Sequence, residues 1–184
     1  TAIFKSALEG EKDCGGVVNM PMFSGEPVVG LNEGRPMMLR TPDAALTFAN
    51  FSRSLVAGAM TSLKLGMDIL AAENVKIDSL LGHGGYFKTP VAGQKILAAS
   101  LNTPISVMET AGEGGPWGMA LLAAYRTGKA EGETLEAYLN EKVFSSARSV
   151  TVEPDAADVA GINAYTARFT ASLPAEKAAV EHLN

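Results

Sequence analysis

The segment LLGHGGYFKTPVAGQKILAASL, residues 80–101, carries the strongest fold signal in the sequence. An apolar run, a cluster of glycines and then a helical pattern predict a strand, a tight turn and a helix. Glycines let a ligand approach the backbone closely, and the first turn of a helix offers unpaired N–H groups. The segment is therefore typical of a site for an anion or a flat nucleotide base. A glycine-rich turn that only serves the geometry of a sheet explains the pattern too.

The glycine cluster departs from two common nucleotide-binding motifs. Gly82–Thr89 (GHGGYFKT) has the length of a GxxxxGK[ST] loop, but Phe87 stands where the second glycine is needed. Its bulky side chain would obstruct a bound phosphate, so we expect no P-loop here. The run Gly82-His83-Gly84 likewise lacks the third glycine of a GxGxxG dinucleotide fingerprint.

A second glycine-rich loop, Glu109–Gly118 (ETAGEGGPWG), follows the apolar run Pro104–Met108 in the same order of strand, turn and helix. Within it, three arrangements are open to Glu109 and Glu113: a carboxylate pair, a metal site bound through water, or two separate solvated acids, which is the commoner outcome. Trp117 stacks on a base, or it packs as the first residue of a helix. The sequence leaves these alternatives open.

The other elements complete an α/β pattern in one domain, residues 1–184. We predict strands at Thr1–Leu8, Val17–Phe23, Pro27–Leu31, Lys76–Leu81 and Pro104–Met108, and helices from Pro42 to Leu70 and at Thr89–Leu101, Trp117–Tyr125, Glu131–Asn140 and Asp158–Leu183. Strands followed by glycine-rich turns and helices imply a partly parallel sheet with ligands at the carboxyl ends of its strands.

Two glycines and one proline fall inside predicted helices, where such residues can interrupt them. Gly58 and Gly66 fall inside the long helix, where they permit close packing of backbones or break it. Pro174 is expected to divide the last helix. That helix closes over its own domain or presents a surface for a partner.

Composition excludes several classes of protein. With 184 residues, 47% apolar and 19% charged, the chain has the balance of a folded domain. A net charge of −5 without a basic run argues against a nucleic-acid partner. The most apolar stretch, Leu55–Ala72, contains Lys64 and Asp68, so we expect a buried helix and no membrane partner.

Several single residues bear on compartment and chemistry. Cys14 is the only cysteine, which fits a reducing cytoplasm, and no base is positioned beside it for a reactive role. His83 and His182 are too far apart for a local metal motif, so we expect no metal site. No charged-then-apolar run opens the sequence, so we expect no secretion signal. Because the chain opens at Thr1 without an initiator Met, we expect it to be a piece of something larger.

The two glycine-rich units, in this order, resemble the C-terminal domain of FGGY carbohydrate kinases. In that family a glycine cluster is followed by Ser-Pro, a Gln and a helix, and Gly84–Gln94 (GGYFKTPVAGQ) keeps this spacing with Thr for Ser. The family's EAxALGAALLA segment is matched by Glu109–Ala111 and Gly118–Ala123, with Gly112–Trp117 inserted between them. The look is closest to pentulose kinases of the L-ribulokinase or xylulokinase kind.

Further matches extend the resemblance over essentially the whole chain. Val152–Asp155 (VEPD) followed by Tyr165 and Phe169 is similar to the closing segment of the family, and Arg53–Gly58 (RSLVAG) to its RAxLEG helix. Thr1–Gly10 resembles the first strand of the domain, which follows a Gly-Thr phosphate turn.

Three residues depart from the family pattern. Ala57 replaces the Glu of RAxLEG, Ala98 replaces an Asp after the Gln, and Tyr86 replaces a third glycine, which would reshape the adenine pocket. These departures bear on the details of nucleotide contact.

The resemblance implies a ribonuclease-H-like, actin-type ATPase domain with a mixed sheet flanked by helices. It implies the nucleotide-binding half of a kinase that uses ATP and Mg²⁺ to phosphorylate a small sugar, such as L-ribulose or xylulose. The implied adenosine contacts are Gly84, Gly85, Thr89 and Gln94, and Thr1 is expected to touch phosphate. The catalytic base and most sugar contacts belong to an N-terminal domain, so the isolated chain is expected to be inactive.

Two alternatives from other classes remain open. One is a non-catalytic interaction domain on an actin-like scaffold, which the alanines at 57 and 98 favour. The other is an unrelated α/β protein that binds a small metabolite. A homodimer is also left open.

Overall fold

A computed structural model describes residues 2–89, 91–109 and 111–183, with the backbone alone for Glu113. Its helices are α1 (Ala2–Ala7), α2 (Phe48–Ala72), α3 (Ala92–Leu101), α4 (Gly114–Gly128), α5 (Leu135–Tyr138) and α6 (Ala156–His182). Its strands are β1 (Val17–Met20), β2 (Met37–Arg40), β3 (Leu80–Gly82), β4 (Ile105–Met108) and β5 (Ser149–Val152). Short 3₁₀ turns occupy Cys14–Gly16, Pro27–Val29, Gly85–Lys88 and Ala111–Glu113, and a π-helical turn occupies Leu139–Val143.

The sheet beside the glycine turns is mixed, as predicted. Strand β3 pairs parallel with β4, placing Gly82 opposite Val107, and β4 pairs antiparallel with β5. Sequence patterning missed β5, a four-residue strand with mostly exposed side chains. Because β3 and β4 are parallel neighbours, the turns that follow them emerge at the same edge of the sheet. This places the two glycine-rich segments side by side.

The N-terminal segment is a helix, so the predicted strand at Thr1–Leu8 is wrong. Phe4 and Ala7 lie three residues apart on one face of α1, which packs against α2. The ring of Phe4 meets that of Tyr86 edge-on, with 5.2 Å between centroids. The six residues of α1 (AIFKSA) are too few to distinguish a helical from a strand periodicity, and tertiary packing selects the helix. The strand that the resemblance of Thr1–Gly10 implies is wrong for the same reason.

Strands β1 and β2 pair antiparallel in a separate two-stranded sheet. The predicted strand at Val17–Phe23 is confirmed, but its partner is Met37–Arg40 and not Pro27–Leu31. Residues Pro27–Val29 form a 3₁₀ turn instead, with the carboxylate of Glu26 accepting from the N–H of Val28 at 3.3 Å. Proline has no N–H to give to a strand partner, so it favours this turn.

Helix α2 begins at Phe48, six residues later than predicted. The Thr47 hydroxyl caps it by accepting from the N–H of Asn50 at 3.1 Å. The preceding residues instead form a turn in which the N–H of Ala45 donates to the carbonyl of Gly15 at 2.9 Å. Pro42 therefore belongs to this turn and not to the helix.

Gly58 and Gly66 do not break α2, which is continuous across both. A Cβ at Gly58 would meet the backbone carbonyl of Asn19, so glycine here permits the close approach of β1. Nothing lies within 4 Å of a Cβ built at Gly66, and close packing does not explain that glycine.

The first half of α2 supplies much of the core, including Val56, Ala57 and the buried Arg53. Over the described ranges, Phe48–Ala72 is the one helix long and apolar enough to cross a membrane, judged by length and composition. The second half is more open, with Leu63 and Ile69 exposed. The expectation of a buried helix therefore holds for its first half only.

Helix α6 packs over its own domain, and it runs unbroken through Pro174, contrary to the expected division. Tyr165 and Phe169 are fully buried, and the Tyr165 hydroxyl donates to the carbonyl of Asn19 at 3.0 Å. Beyond the proline, the carboxylate of buried Glu176 accepts from the backbone N–H of Arg35 at 2.5 Å. Contacts on both sides of Pro174 hold the helix to the domain, which offsets the one hydrogen bond that proline removes.

Candidate functional site

The two glycine turns touch each other directly. The N–H of Gly84 donates to the carbonyl of Ala111 at 2.7 Å. A Cβ built at Gly114 would lie 3.4 Å from Cβ of His83. Gly84 has φ +101° and ψ −178°, a backbone conformation open only to glycine in practice. The sequence therefore uses a glycine at the place where the first turn contacts the second.

Other glycines of these turns have no such conformational reason. Gly85, Gly115 and Gly118 lack a positive φ, and no atom of the described residues lies within 4 Å of a Cβ built at any of them. Neither backbone strain nor packing inside this domain requires glycine at these positions. Their exposed backbone is open to close approach from outside the described chain.

A cavity of about 550 Å³ opens between the turns and the helices that follow. Glycines and His83 form one side, and apolar side chains form the other. The lining residues are His83, Gly84, Gly114, Gly115, Trp117, Gly118, Leu121, Leu122, Leu135, Leu139 and Phe144. We call this space the glycine cavity.

A second cavity, of about 570 Å³, is bordered by the end of the first turn and has a more polar lining. Its lining residues are Phe87, Lys88, Val91, Gln94, Val107, Met108, Glu109, Ala111, Gly112 and Val150. We call this space the strand cavity. The beginning of the turn at residues 82–89 thus borders the glycine cavity, and its end borders the strand cavity.

Gln94, a predicted nucleotide contact, is buried at the start of α3. Its Nε2 donates to the carbonyls of Ile105 at 3.2 Å and Val150 at 2.9 Å. These bonds tie α3 to β4 and β5, which gives Gln94 a structural role on the strand cavity. A contact with nucleotide stays a prediction for this residue.

The predicted site residues do not all meet in one place. Gly84 lines the glycine cavity, Gly85 is exposed beside it, and Thr89 ends the 3₁₀ turn Gly85–Lys88. Gln94 lies on the strand cavity, and Thr1 lies outside the described residues. Of the predicted contacts, Gly84 and Gly85 are therefore the two that lie at or beside the glycine cavity.

Tyr86, which replaces a family glycine, points into the core and lines neither cavity. Its hydroxyl donates to the carbonyl of Gly93 at 3.1 Å, and its ring packs edge-on against Phe87 with 5.1 Å between centroids. Burial raises the pKa of the Tyr86 phenol. The side chain thus packs the turn against α1, through Phe4, and against α3, through Gly93.

The other two departures also face the core. Ala57 and Ala98 are 2% and 0% exposed, and neither lines the two cavities beside the turns. Ala98 packs with Leu97 and Ile105. A carboxylate at either position would be buried at high cost without a partner. Alanine suits the packing of this particular core.

Sequence patterning singled out Glu109, Glu113 and Trp117 in the second loop. Glu109 is exposed, and the side chain of Glu113 lies outside the described part of the chain, so the alternatives for these two acids stay as the sequence left them. Trp117 packs edge-on against Phe144, with 5.6 Å between centroids, and also lines the glycine cavity. Within residues 2–89, 91–109 and 111–183, no group of three His, Cys, Asp or Glu side chains could hold a metal ion.

Residues Leu135, Leu139 and Phe144 were not singled out by sequence patterning. They reach the cavity because α5 and the π-helical turn fold back beside α4. Their apolar spacing was visible in the sequence, but their position around the same cavity as Trp117 depends on tertiary structure.

Residues 3–127 match the family described as "FGGY family of carbohydrate kinases, C-terminal domain". The match covers more than half of the chain and includes both glycine turns. The chain therefore belongs to the FGGY family of carbohydrate kinases. The resemblance seen in the sequence is confirmed. No match was found among curated proteins.

Solved structures of sugar kinases share the fold. A ligand-bound xylulose kinase from Lactobacillus acidophilus is 16% identical, with a TM-score of 0.68 over 94% of this chain and 34% of its own. A gluconate kinase from the same organism is 16% identical, with a TM-score of 0.69 over 94% and 34%. Plasmodium falciparum glycerol kinase with ADP is 18% identical, with a TM-score of 0.60 over 100% and 34%.

The chain spans about a third of the length of these structures. Its fold is the actin-like ATPase fold of FGGY kinases, with a mixed sheet and flanking helices. The predicted fold class is confirmed. The identities of 16–18% support the fold alone.

Proposed function

We propose that this domain binds the nucleotide of an ATP-dependent sugar kinase at the turn formed by residues 82–85. One observation carries the proposal: Gly84 at φ +101° and the unobstructed Gly85 expose backbone at the carboxyl end of β3. In α/β folds, ligands bind at this end of parallel strands. Side chains larger than glycine would narrow the approach.

The chain contributes binding and positioning in this proposal, and not the chemical step itself. Phosphoryl transfer depends chiefly on alignment of the two reactants and on neutralising phosphate charge. We assign no catalytic base within the 184 residues, so the isolated chain is expected to bind nucleotide weakly and to phosphorylate nothing. The accepting sugar, a pentulose such as L-ribulose or xylulose, would be bound mainly by an N-terminal domain.

The proposed nucleotide contacts are Gly84 and Gly85, with Thr89 at the end of the same turn. Gln94 would support the site by holding α3 against the sheet, and Thr1 is proposed at phosphate. The described residues offer no acidic cluster that fits Mg²⁺. Mg²⁺ therefore enters the proposal as the counterion that the nucleotide phosphates carry. A cytoplasmic location, inferred from the single cysteine, also stays a proposal, as does a homodimer.

Calorimetric titration of the chain with Mg-ADP and Mg-ATP tests the proposal. The variant Gly85→Leu places a side chain over the open backbone without forcing a strained φ, since Gly85 lacks a positive φ. Its matched control is Gly66→Leu, a glycine in α2 that is equally free of neighbours within 4 Å. We expect millimolar or tighter binding that Gly85→Leu weakens and Gly66→Leu leaves unchanged.

Two outcomes would contradict the proposal. Equal affinity in Gly85→Leu and in the unaltered chain would move the nucleotide away from this turn. No binding of either nucleotide at millimolar concentration would favour a non-catalytic interaction domain on the actin-like scaffold.

A further inference from the structure

Helix α2 carries an exposed line of residues from its middle to near its end. Ala59, Leu63, Gly66 and Leu70 follow one another at intervals of four, three and four residues, which places them on one face of the helix. Leu63 and Leu70 are 48% and 40% exposed. We call these four residues the α2 seam. Its spacing is that of a helix face that pairs with another helix.

The α2 seam has no explanation inside this domain. Gly66 costs about 1 kcal/mol relative to alanine within a helix, and no atom of the described residues lies within 4 Å of a Cβ built there. The leucines on either side of it expose apolar surface that burial would stabilise. Phe23, 82% exposed, lines the same small cavity as Ala59 and extends the apolar surface at that end. A contiguous apolar surface of this kind is typical of a contact between proteins.

The order of large and small residues makes the α2 seam complementary to a second copy of itself. Two such helices can run antiparallel with a two-fold axis between positions 64 and 65. Each leucine of one copy then lies opposite a small residue of the other, Leu63 opposite Gly66 and Leu70 opposite Ala59. Large residues that face small ones allow two helices to interdigitate closely. A parallel pair in register would set each leucine against its own equivalent and leave a gap at Gly66.

We propose that two copies of this chain associate through the α2 seam as an antiparallel, two-fold symmetric pair. A two-fold contact uses the same patch on both copies, and the seam supplies such a patch. From Ala59 to Leu70 the seam is about 17 Å long at 1.5 Å per residue. A contact of this length is smaller than the roughly 800 Å² per partner of a standard interface. We therefore expect a dissociation constant in the micromolar range.

A membrane suits α2 less well than a second copy does, although the helix is long and apolar enough to cross one. A spanning α2 would carry Lys64 and Asp68, whose charged atoms lie 3.5 Å apart, into hydrocarbon. It would also break the buried contact between Arg53 and Asp158. Pairing with a second copy leaves both of these contacts in place, because none of the four residues belongs to the seam.

Sedimentation equilibrium of the unaltered chain and its variants tests the proposal. Gly66→Leu sets a leucine against Leu63 of the second copy, while its Cβ meets nothing within 4 Å in the described part of its own chain. We expect this variant to raise the dissociation constant of the dimer tenfold or more, the effect of overpacking a contact. Alanine at this position would stay small, as Ala59 is, so leucine is the informative change. The matched control is Gly128→Leu at the open end of α4, which should dimerise as the unaltered chain does.

A compensating pair of substitutions tests the antiparallel arrangement itself. Leu63→Ala combined with Gly66→Leu exchanges the large and the small position, so that the alanine of each copy again faces a leucine of the other. We expect this double variant to associate about tenfold more tightly than Gly66→Leu alone. A surface that is merely sticky would not recover in this way, because the double variant gains no apolar area over the unaltered chain.

Three results would overturn the proposal: an unaltered chain that stays monomeric throughout the micromolar range, a Gly66→Leu dimer as tight as the unaltered one, or no recovery in the double variant. Binding to phosphatidylcholine vesicles without self-association would assign α2 to a lipid surface instead. Circular dichroism confirms that each variant remains folded. Because no residue of the seam lines the glycine cavity, failure here leaves the proposed function standing.

Discussion

Nη2 of Arg53 lies 2.6 Å from Oδ1 of Asp158, and the two residues are 105 positions apart in the chain. The Arg53 side chain is 1% exposed. Lys12 reaches the same carboxylate oxygen at 2.8 Å from a half-exposed position. This contact joins α2 to the first turn of α6, and the buried guanidinium of Arg53 has little access to water that could replace a lost partner.

Replacing Asp158 with Asn should destabilise the domain strongly. The guanidinium of Arg53 would remain buried without its counter-charge, at a cost of about 3–5 kcal/mol. Urea denaturation followed by circular dichroism measures the loss. Lys12→Gln, which removes only the half-exposed cation, should cost about 1 kcal/mol or less. Equal losses in the two variants would show that burial of Arg53 does not set the cost.

Stability should fall in acid because of the same carboxylate. Burial acts to raise the pKa of Asp158, but the hydrogen bond from Lys12 and the charge of Arg53 outweigh it, so the pKa lies below the ordinary 3.8. The unfolded chain then binds a proton more readily than the folded one. The contribution is complete above about pH 4 and is lost as the pH falls through the folded-state value.

Urea denaturation of the unaltered chain and of Asp158→Asn between pH 3 and pH 7 checks the acid effect. The difference in unfolding free energy between them should be constant near neutrality and narrow in acid. Asp13 adds to the loss in both proteins: burial acts to raise its pKa, and the hydrogen bond from Arg168 lowers it on balance. A gap that widens in acid would contradict the assignment to Asp158.

The two internal glycines of α2 should respond oppositely to alanine. At Gly58 a methyl group would meet the carbonyl of Asn19 and lie 3.0 Å from the Tyr165 hydroxyl oxygen, so Gly58→Ala should cost about 1–3 kcal/mol. At Gly66 the methyl group meets nothing within 4 Å, so Gly66→Ala should gain up to about 1 kcal/mol. The melting temperatures of both variants test this prediction. A lower melting temperature for Gly66→Ala would contradict the open surroundings of Gly66.

Cys14 should be unreactive while the domain is folded. Its side chain is fully buried, and burial raises the pKa of the thiol to about 12 although the charge of Arg53 acts to lower it. Because the thiolate is the nucleophile, an aromatic disulfide reagent at pH 8 should react slowly in buffer and rapidly in denaturant. Stoichiometric reaction of the folded chain within minutes would overturn this prediction.

The sequence predicted those parts of the fold that local pattern determines. Strands β1 and β4 and helix α3 follow from apolar runs and flanking turn residues, and both glycine turns fall where expected. The N-terminal segment was misjudged because contacts with Tyr86 and α2, and not its own pattern, select a helix. Strand β5 was missed because its pairing with β4 is set by residues more than forty positions away.

The candidate site was predictable only in its first turn. The glycines at 84 and 85 were visible as a motif, whereas the segregation of Gln94 onto another cavity depends on its bonds to Ile105 and Val150. The apolar side of the glycine cavity could not be predicted, because Phe144 contacts Trp117 only when α5 and the turn after it pack beside α4.

The hydrogen bond from the N–H of Gly84 to the carbonyl of Ala111 couples the positions of the two glycine turns. A ligand that displaced Gly84 would carry Ala111 with it and tilt the first turn of α4, which begins three residues later. A ligand bound at the end of β3 would thereby shift the loop that follows β4 without contacting that loop. The Gly84 amide hydrogen, although it sits in a turn, should exchange with solvent as slowly as one inside a strand.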